Sequence, residues 1–116
     1  MSEGMVYQRW VTLSGDNSSD YIIQEFSRWL DTSGYRRLIV SARVETKTNA
    51  TLTLETADAE VGPWTTGTTI NATGVTYLEA DSGAAAPLER FVRWKVAASN
   101  TNWEICFWIA VELKTS

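Results

Sequence analysis

The residues best suited to bind a ligand are the tryptophans, of which the chain has six among 116 residues. Trp64 follows Gly62-Pro63 in a predicted loop, and Trp29 lies beside a predicted turn. Exposed aromatic rings can stack against sugar rings, so these two residues form a candidate ligand platform. Loop aromatics also close the ends of β-sandwiches or contact other subunits, and that alternative stays open. Trp94 and Trp103 are in phase with core positions, which predicts that they are buried.

Side chains suited to catalysis are scarce in this chain. It contains no histidine, which is the commonest general base and zinc ligand. Carboxylates occur in two loose sets, Asp16/Asp20 and Asp58/Glu60, whose spacing matches no calcium-binding loop. Cys106 is the single cysteine, so there is no intrachain disulfide, and no histidine can activate its thiol. The sequence therefore predicts a protein that is not an enzyme, with no catalytic residue, metal site or cofactor.

The elements that must position these residues are predicted to be β-strands. Apolar residues occupy every second position over residues 103–113, which is the pattern of a strand with one face on a core. Residues 36–46 alternate in the same way, and residues 50–56 follow after Lys47-Thr48-Asn49, so we predict a hairpin between these two strands. Five further strands are predicted at residues 6–13, 21–26, 68–72, 75–80 and 90–98. Residues 26–30 are compatible with one helical turn.

The connections between these strands are rich in residues that tolerate turn conformations, as in Asp81-Ser82-Gly83. About eight short strands separated by such turns are typical of a sandwich or a barrel. A chain of this length builds one core. We predict an all-β fold, in which residues 1–116 form a single antiparallel β-sandwich of jelly-roll type.

The last predicted strand is apolar on both faces at its centre. Ile105, Phe107 and Ile109 should point into the core, which leaves Cys106, Trp108 and Ala110 on the opposite face. A soluble monomer rarely leaves a large apolar patch open, so either another part of the domain or a neighbouring subunit must cover this face. These three residues are our candidate subunit interface.

Net charge and hydropathy exclude several classes of partner. The formal net charge is −4, whereas nucleic-acid sites concentrate lysine and arginine, so nucleic acid is not an expected partner. The N-terminal residues lack a signal-peptide pattern, and no window is apolar enough to span a bilayer. We therefore expect a protein without a signal peptide or transmembrane segment, assembled in the cytoplasm and with no membrane partner.

Two stretches carry a resemblance to a known group of domains. The first is Leu52-Thr53-Leu54-Glu55-Thr56-Ala57-Asp58 with Gly62-Pro63-Trp64, and the second is Arg90-Phe91-Val92-Arg93-Trp94-Lys95-Val96. Together they resemble small jelly-roll domains, related to galactose-binding sandwiches, of phage and prophage virion proteins and related particles. The resemblance implies a non-enzymatic structural protein, either an oligomeric subunit or a decoration protein of a virion or similar assembly. A carbohydrate-binding module that uses its loop tryptophans to hold a glycan is the alternative.

Overall fold

The computed structural model of the protein describes residues 2–80 and 84–115. The strands in chain order are β1 (Ser2–Gly15), β2 (Tyr21–Ile23), β3 (Leu30–Asp31), β4 (Arg37–Thr48), β5 (Ala50–Ala57), β6 (Thr65–Ile70), β7 (Gly74–Glu79), β8 (Phe91–Ala98) and β9 (Trp103–Lys114). Each predicted strand overlaps one of these, and the predicted helical turn is a short 3-10 helix, Phe26–Arg28. The predicted turn Asp81-Ser82-Gly83 lies outside the described residues.

The strands form two antiparallel sheets that pack face to face. Sheet I has the order β1-β9-β4-β7, and sheet II has the order β2-β8-β5-β6. Strand β3 also pairs with β8, so β2 and β3 are two pieces of one edge strand interrupted by the 3-10 helix. Counted in this way there are eight strands in the described part of the chain, and consecutive strands lie in different sheets except β5 and β6. This is the strand order of a jelly roll, and it confirms the predicted fold class.

The predicted hairpin between β4 and β5 is wrong, because β4 belongs to sheet I and β5 to sheet II. Asn49 joins the two strands and has φ 52°, a left-handed conformation that asparagine tolerates better than most residues. Its side-chain amide donates a hydrogen bond of 3.0 Å to the carbonyl oxygen of Thr101. A hairpin and a crossing between sheets show the same alternation, since both strands bury one face in the same core.

Alternation along β9 places the core side chains as predicted. Ile105, Phe107 and Ile109 are fully buried between the sheets, while the intervening residues face outward. The ring of Phe107 meets the ring of Trp94, which lies on β8 in sheet II, edge to face at 5.3 Å between centroids. Trp94 and Trp103 are both buried, which confirms that prediction.

Strand β1 is irregular where it pairs with β9. Its register shifts between Val6 and Gln8 and again between Gln8 and Val11. β-Bulges of this kind insert an extra residue and re-aim neighbouring side chains. Here Tyr7 is buried and reaches sheet II, where its hydroxyl lies 2.6 Å from the carbonyl oxygen of Val92 on β8.

Candidate functional site

The three residues of the predicted interface lie together on the outer face of sheet I. Cys106, Trp108 and Ala110 alternate with buried neighbours on β9 and are each half-buried. Strand β9 is flanked by β1 and β4, so these residues occupy the middle of the face. The Arg43 guanidinium lies 5.5 Å from the Trp108 ring centroid, and Cys106 Sγ lies 4.0 Å from Glu45 Oε2.

Register extends this apolar surface across all four strands of sheet I. Val6, Ala110, Ser41 and Val75 stand opposite one another in a single row from β1 to β7. Ile39 and Tyr77 form the next row on the same face, and Trp10 precedes the inward-facing Val11 on β1. The exposed fractions are 49% for Val6, 49% for Trp10, 54% for Val75 and 52% for Tyr77. We call this surface the apolar face, and its members are Val6, Trp10, Ile39, Ser41, Val75, Tyr77, Cys106, Trp108 and Ala110.

The outer face of sheet II has the opposite character. Thr53 on β5 stands between Lys95 on β8 and Thr69 on β6, and in the next row Glu55 faces Arg93. Polar side chains are what an antiparallel sheet ordinarily presents to water. The two sheets therefore differ in that only sheet I, among the described residues, carries large apolar side chains across the whole width of its outer face.

The two residues of the predicted ligand platform are in contact with each other. The ring centroids of Trp29 and Trp64 are 4.8 Å apart and the rings meet nearly at right angles. Arg93 extends between them, with Cζ 3.8 Å from the Trp64 centroid and 4.9 Å from the Trp29 centroid. Its Nε also lies 2.9 Å from Glu55 Oε1. One face of the Trp64 ring is therefore occupied by a guanidinium of the same chain.

Backbone hydrogen bonds hold both indoles in place. Trp29 Nε1 donates to the carbonyl oxygen of Gln24 at 2.8 Å, and Trp64 Nε1 donates to that of Glu60 at 3.2 Å. Beside Trp29 lies a small cavity of about 190 Å³ that is lined by Phe26, Ser27, Trp29, Glu60 and Phe91. Phe26 is 58% exposed, so it is the aromatic ring of this group that is most open to a ligand.

The acidic residues of the loops take part in local contacts. Asp20 Oδ2 accepts a hydrogen bond from the Trp103 indole at 3.0 Å. Burial raises the pKa of Glu89, and the neighbouring Asp58 carboxylate raises it further, while a hydrogen bond from Thr65 acts in the other direction. Within residues 2–80 and 84–115 there is no group of three or more Asp, Glu or Cys side chains that could hold a metal ion.

Sequence reasoning missed several members of the apolar face. On β7 the buried Leu78 follows Tyr77, and side chains alternate along a strand, so Val75 and Tyr77 point outward. The sequence pattern alone could have predicted this direction. Trp10 was harder to assign because the bulges in β1 break the alternation. Arg93 carried no signal at all, since its aromatic neighbours lie in other elements.

Comparisons with known proteins identify no family for this chain. No family model matches it, and no curated protein matches it. One solved structure, described as "Bacillus endospore appendages form a novel family of disulfide-linked pili", aligns with 98% of this chain and 92% of its own. The TM-score is 0.46 and the sequence identity is 13%, a likeness too low to bear on function. Among the described residues, no helix is long and apolar enough to cross a bilayer.

Proposed function

We propose that this chain is a non-enzymatic structural subunit that binds further copies of itself through the apolar face of sheet I. The observation that supports the proposal is the continuous row Val6, Ala110, Ser41 and Val75, with Trp10, Trp108 and Tyr77 beside it. Removing apolar surface from water is favourable by about 25 cal/mol per Å². Tryptophan and tyrosine are also enriched at protein interfaces.

The charges around the apolar face suit a twofold contact between identical faces. Arg37 and Glu79 form an ion pair at one end of the sheet, with 3.5 Å between Nε and Oε1. Arg43 and Glu45 lie near the other end of β4. A twofold axis brings a patch against its own copy, so a rim with both signs of charge can be self-complementary. A second copy of the chain is therefore the partner we propose.

The size of the apolar face indicates how tightly the copies associate. With about 4.8 Å between strands and about 3.4 Å per residue, the face measures roughly 20 by 20 Å. Standard stable interfaces bury about 800 Å² of accessible surface on each partner. A projected area near 400 Å² is at the low end of that scale, even with the relief of the side chains. We expect an association that dilution reverses.

The setting that we propose for this association is a virion or a similar protein particle, with the chain as a building or decorating subunit. The support is the resemblance of residues 52–58, 62–64 and 90–96 to the jelly-roll domains of such particles. A repeating particle uses many weak, identical contacts, and avidity then holds each subunit more tightly than one contact can.

The test is the solution mass measured by light scattering across a dilution series. We expect the wild-type mass to rise above that of a monomer as concentration increases, and Val75→Glu to remain monomeric because an unpaired charge is costly to bury. Val75 is 54% exposed on an edge strand, so the charge is tolerated in the monomer. Trp108→Glu tests the centre of the face.

The matched control for this test is Thr53→Glu, which adds the same charge to the outer face of sheet II. It should associate like the wild type. A wild-type protein that is monomeric at every concentration would refute the proposal. The same holds if Val75→Glu and Trp108→Glu both associate as strongly as Thr53→Glu.

Glycan binding is a second candidate function, and the cavity beside Trp29 is the observation that favours it. The Phe26 ring can stack against a sugar, and the Glu60 carboxylate can accept hydrogen bonds from hydroxyl groups. A glycan array with the wild type would identify the sugar, and Phe26→Ala should abolish its binding. Tyr21→Ala is the control, because Tyr21 is an aromatic residue of sheet II that is 63% exposed but does not line this cavity. Equal loss in both variants would exclude a site at Phe26.

A further inference from the structure

A cleft opens along the side of the sandwich between β1 and β2, the edge strands of the two sheets. Its volume is about 410 Å³. The buried side chains of Tyr7, Gln24 and Trp94 line its inner part, and Val11 and Ile22 contribute half-buried apolar walls. The bulges in β1 direct Tyr7 toward the cleft, and such irregularities often re-aim side chains at functional sites.

The cleft is organised around the carboxamide of Gln24, which is 3% exposed. The backbone N–H of Gln24 donates to the carbonyl oxygen of Trp94 at 3.1 Å. Its Oε1 accepts from the Tyr7 hydroxyl at 2.6 Å and from the Trp94 backbone N–H at 3.3 Å. Because a backbone N–H can only donate, it identifies the atom that it faces as the oxygen. The orientation of the carboxamide is therefore determined.

Burial also keeps the Tyr7 hydroxyl in its donor form. Desolvation raises the pKa of this phenol above its ordinary range, although hydrogen bonding with the Leu30 backbone and with Gln24 acts against it. The neutral hydroxyl has one hydrogen, which it shares between Gln24 Oε1 and the Val92 carbonyl oxygen. The Gln24 carboxamide oxygen is thus already occupied by two donors of the protein itself.

The remaining atom of this group, Gln24 Nε2, is buried and has no hydrogen-bond partner among the described residues. A buried amide nitrogen without an acceptor destabilises a protein, because its hydrogen bond to water is lost on folding and is not replaced. Natural structures retain few such groups, and each one calls for an explanation. The chemistry that satisfies this atom is an oxygen acceptor that enters from the cleft.

Charged residues at the mouth of the cleft narrow the class of ligand. Arg9, Glu25 and Arg28 lie there, and all are exposed. Neither arginine forms an ion pair within 4.0 Å among the described residues, so the mouth carries a net positive charge. An anionic group is favoured by these two guanidinium groups, and arginine matches the geometry of a carboxylate particularly well.

We propose that this cleft binds an organic carboxylate with a short apolar body. One carboxylate oxygen accepts a hydrogen bond from Gln24 Nε2, the arginines of the mouth neutralise the charge, and the apolar body packs against Trp94, Val11 and Ile22. The cleft meets the apolar face of sheet I at Val6, but the proposed ligand contacts lie elsewhere, so the proposal does not depend on the proposed self-association.

The test is a titration of the protein with hexanoate, followed through the side-chain amide resonances of Gln24 and the indole N–H of Trp94 in 1H–15N NMR spectra. Hexanol, which has the same chain length without the charge, is the control ligand. We expect saturable shifts with hexanoate and binding of hexanol that is weaker by about tenfold or more, because the charged contacts are lost. Raising the salt concentration should weaken hexanoate binding by screening the exposed arginines.

Two variants and one control variant distinguish a ligand site from a buried amide that contacts only water. Arg28→Ala leaves the core intact and should weaken hexanoate binding about fivefold, since it removes one partly screened charge. Lys47→Ala, at the far end of β4, removes the same charge outside the cleft and should leave binding unchanged. Gln24→Glu should abolish binding, because it replaces the donor with a carboxylate that repels the ligand.

Three results would overturn the proposal. The first is that the side-chain amide resonances of Gln24 do not shift with hexanoate up to its solubility limit, which would mean that Gln24 Nε2 contacts only water. The second is an equal response to hexanol, and the third is equal binding by Arg28→Ala and Lys47→Ala. None of these results would alter the oligomeric state, so failure here is distinguishable from failure of the proposed self-association.

Discussion

Two cross-strand Arg–Glu pairs differ mainly in burial, and replacing the arginine of each by methionine measures what burial adds. Arg93 stands opposite Glu55 between β8 and β5, and Arg37 stands opposite Glu79 between β4 and β7. The side chains of the first pair are 12% and 13% exposed, while those of the second are 42% and 40% exposed. Arg93 also lies 3.8 Å from the Trp64 ring centroid.

The expected cost of each substitution follows from these environments. Removing one partner of a buried ion pair destabilises a protein by about 3–5 kcal/mol, because the other charge stays buried without compensation. A methionine at position 93 regains about 1 kcal/mol through sulfur–aromatic contact with the two tryptophans. The net loss for Arg93→Met is then about 2–4 kcal/mol. An exposed pair contributes at most about 1 kcal/mol, so Arg37→Met should cost less than that.

Urea unfolding followed by circular dichroism measures both losses, since tryptophan fluorescence would respond directly to changes around Trp64. Arg37 borders the apolar face, so both variants are compared in a Val75→Glu background, in which self-association does not contribute to the apparent stability. The double variant Arg93→Met/Glu55→Gln should recover part of the loss. The reasoning is refuted if Arg93→Met and Arg37→Met lower the free energy of unfolding by equal amounts with unchanged m-values.

Two further predictions concern the ends of the sandwich and the interior of sheet II. Burial and the nearby Asp58 raise the pKa of Glu89 in the folded state. The contribution of Glu89 to stability is therefore present below its pKa in the unfolded chain, and it is lost as pH rises through its pKa in the folded protein. The urea midpoint of Glu89→Gln should therefore equal that of the wild type at about pH 4 and exceed it at about pH 7. Equal midpoints of the two proteins at both pH values would contradict this prediction. Gly67→Ala should cost about 1–3 kcal/mol, because a Cβ would lie 2.6 Å from Leu78 Cδ2, whereas Gly74→Ala has open space and serves as control. Equal melting temperatures for the two variants would contradict the packing argument.

Local sequence was enough to predict the strands and their buried sides. The alternation in residues 103–113 and 36–46 indicates which side chains are buried on folding. This pattern is a property of each strand and does not depend on which strands lie beside it. For the same reason the outward position of Cys106, Trp108 and Ala110 was predicted from β9 alone. The all-β class also followed from strand number and turn spacing, which are typical of a sandwich or a barrel.

Which strands are neighbours could not be obtained from the same pattern. The β4–β5 hairpin was predicted wrongly because alternation does not say whether a strand pairs with its predecessor or crosses to the opposite sheet. Asn49 has a left-handed conformation where the chain crosses between the sheets, but lysine, threonine and asparagine in that connection suit either path. Bulges in β1 likewise moved Tyr7 and Trp10 relative to a regular register.

The all-β sandwich and the strand that is apolar on both faces both follow from the order of the residues, because periodicity and composition are local properties. Tertiary structure alone decided that Val6, Ala110, Ser41 and Val75 form one row, since register joins strands far apart in the chain. It also decided that Gln24 is buried with an unpaired amide beside a cleft. Such contacts depend on the packing of two sheets, which no single stretch of residues encodes.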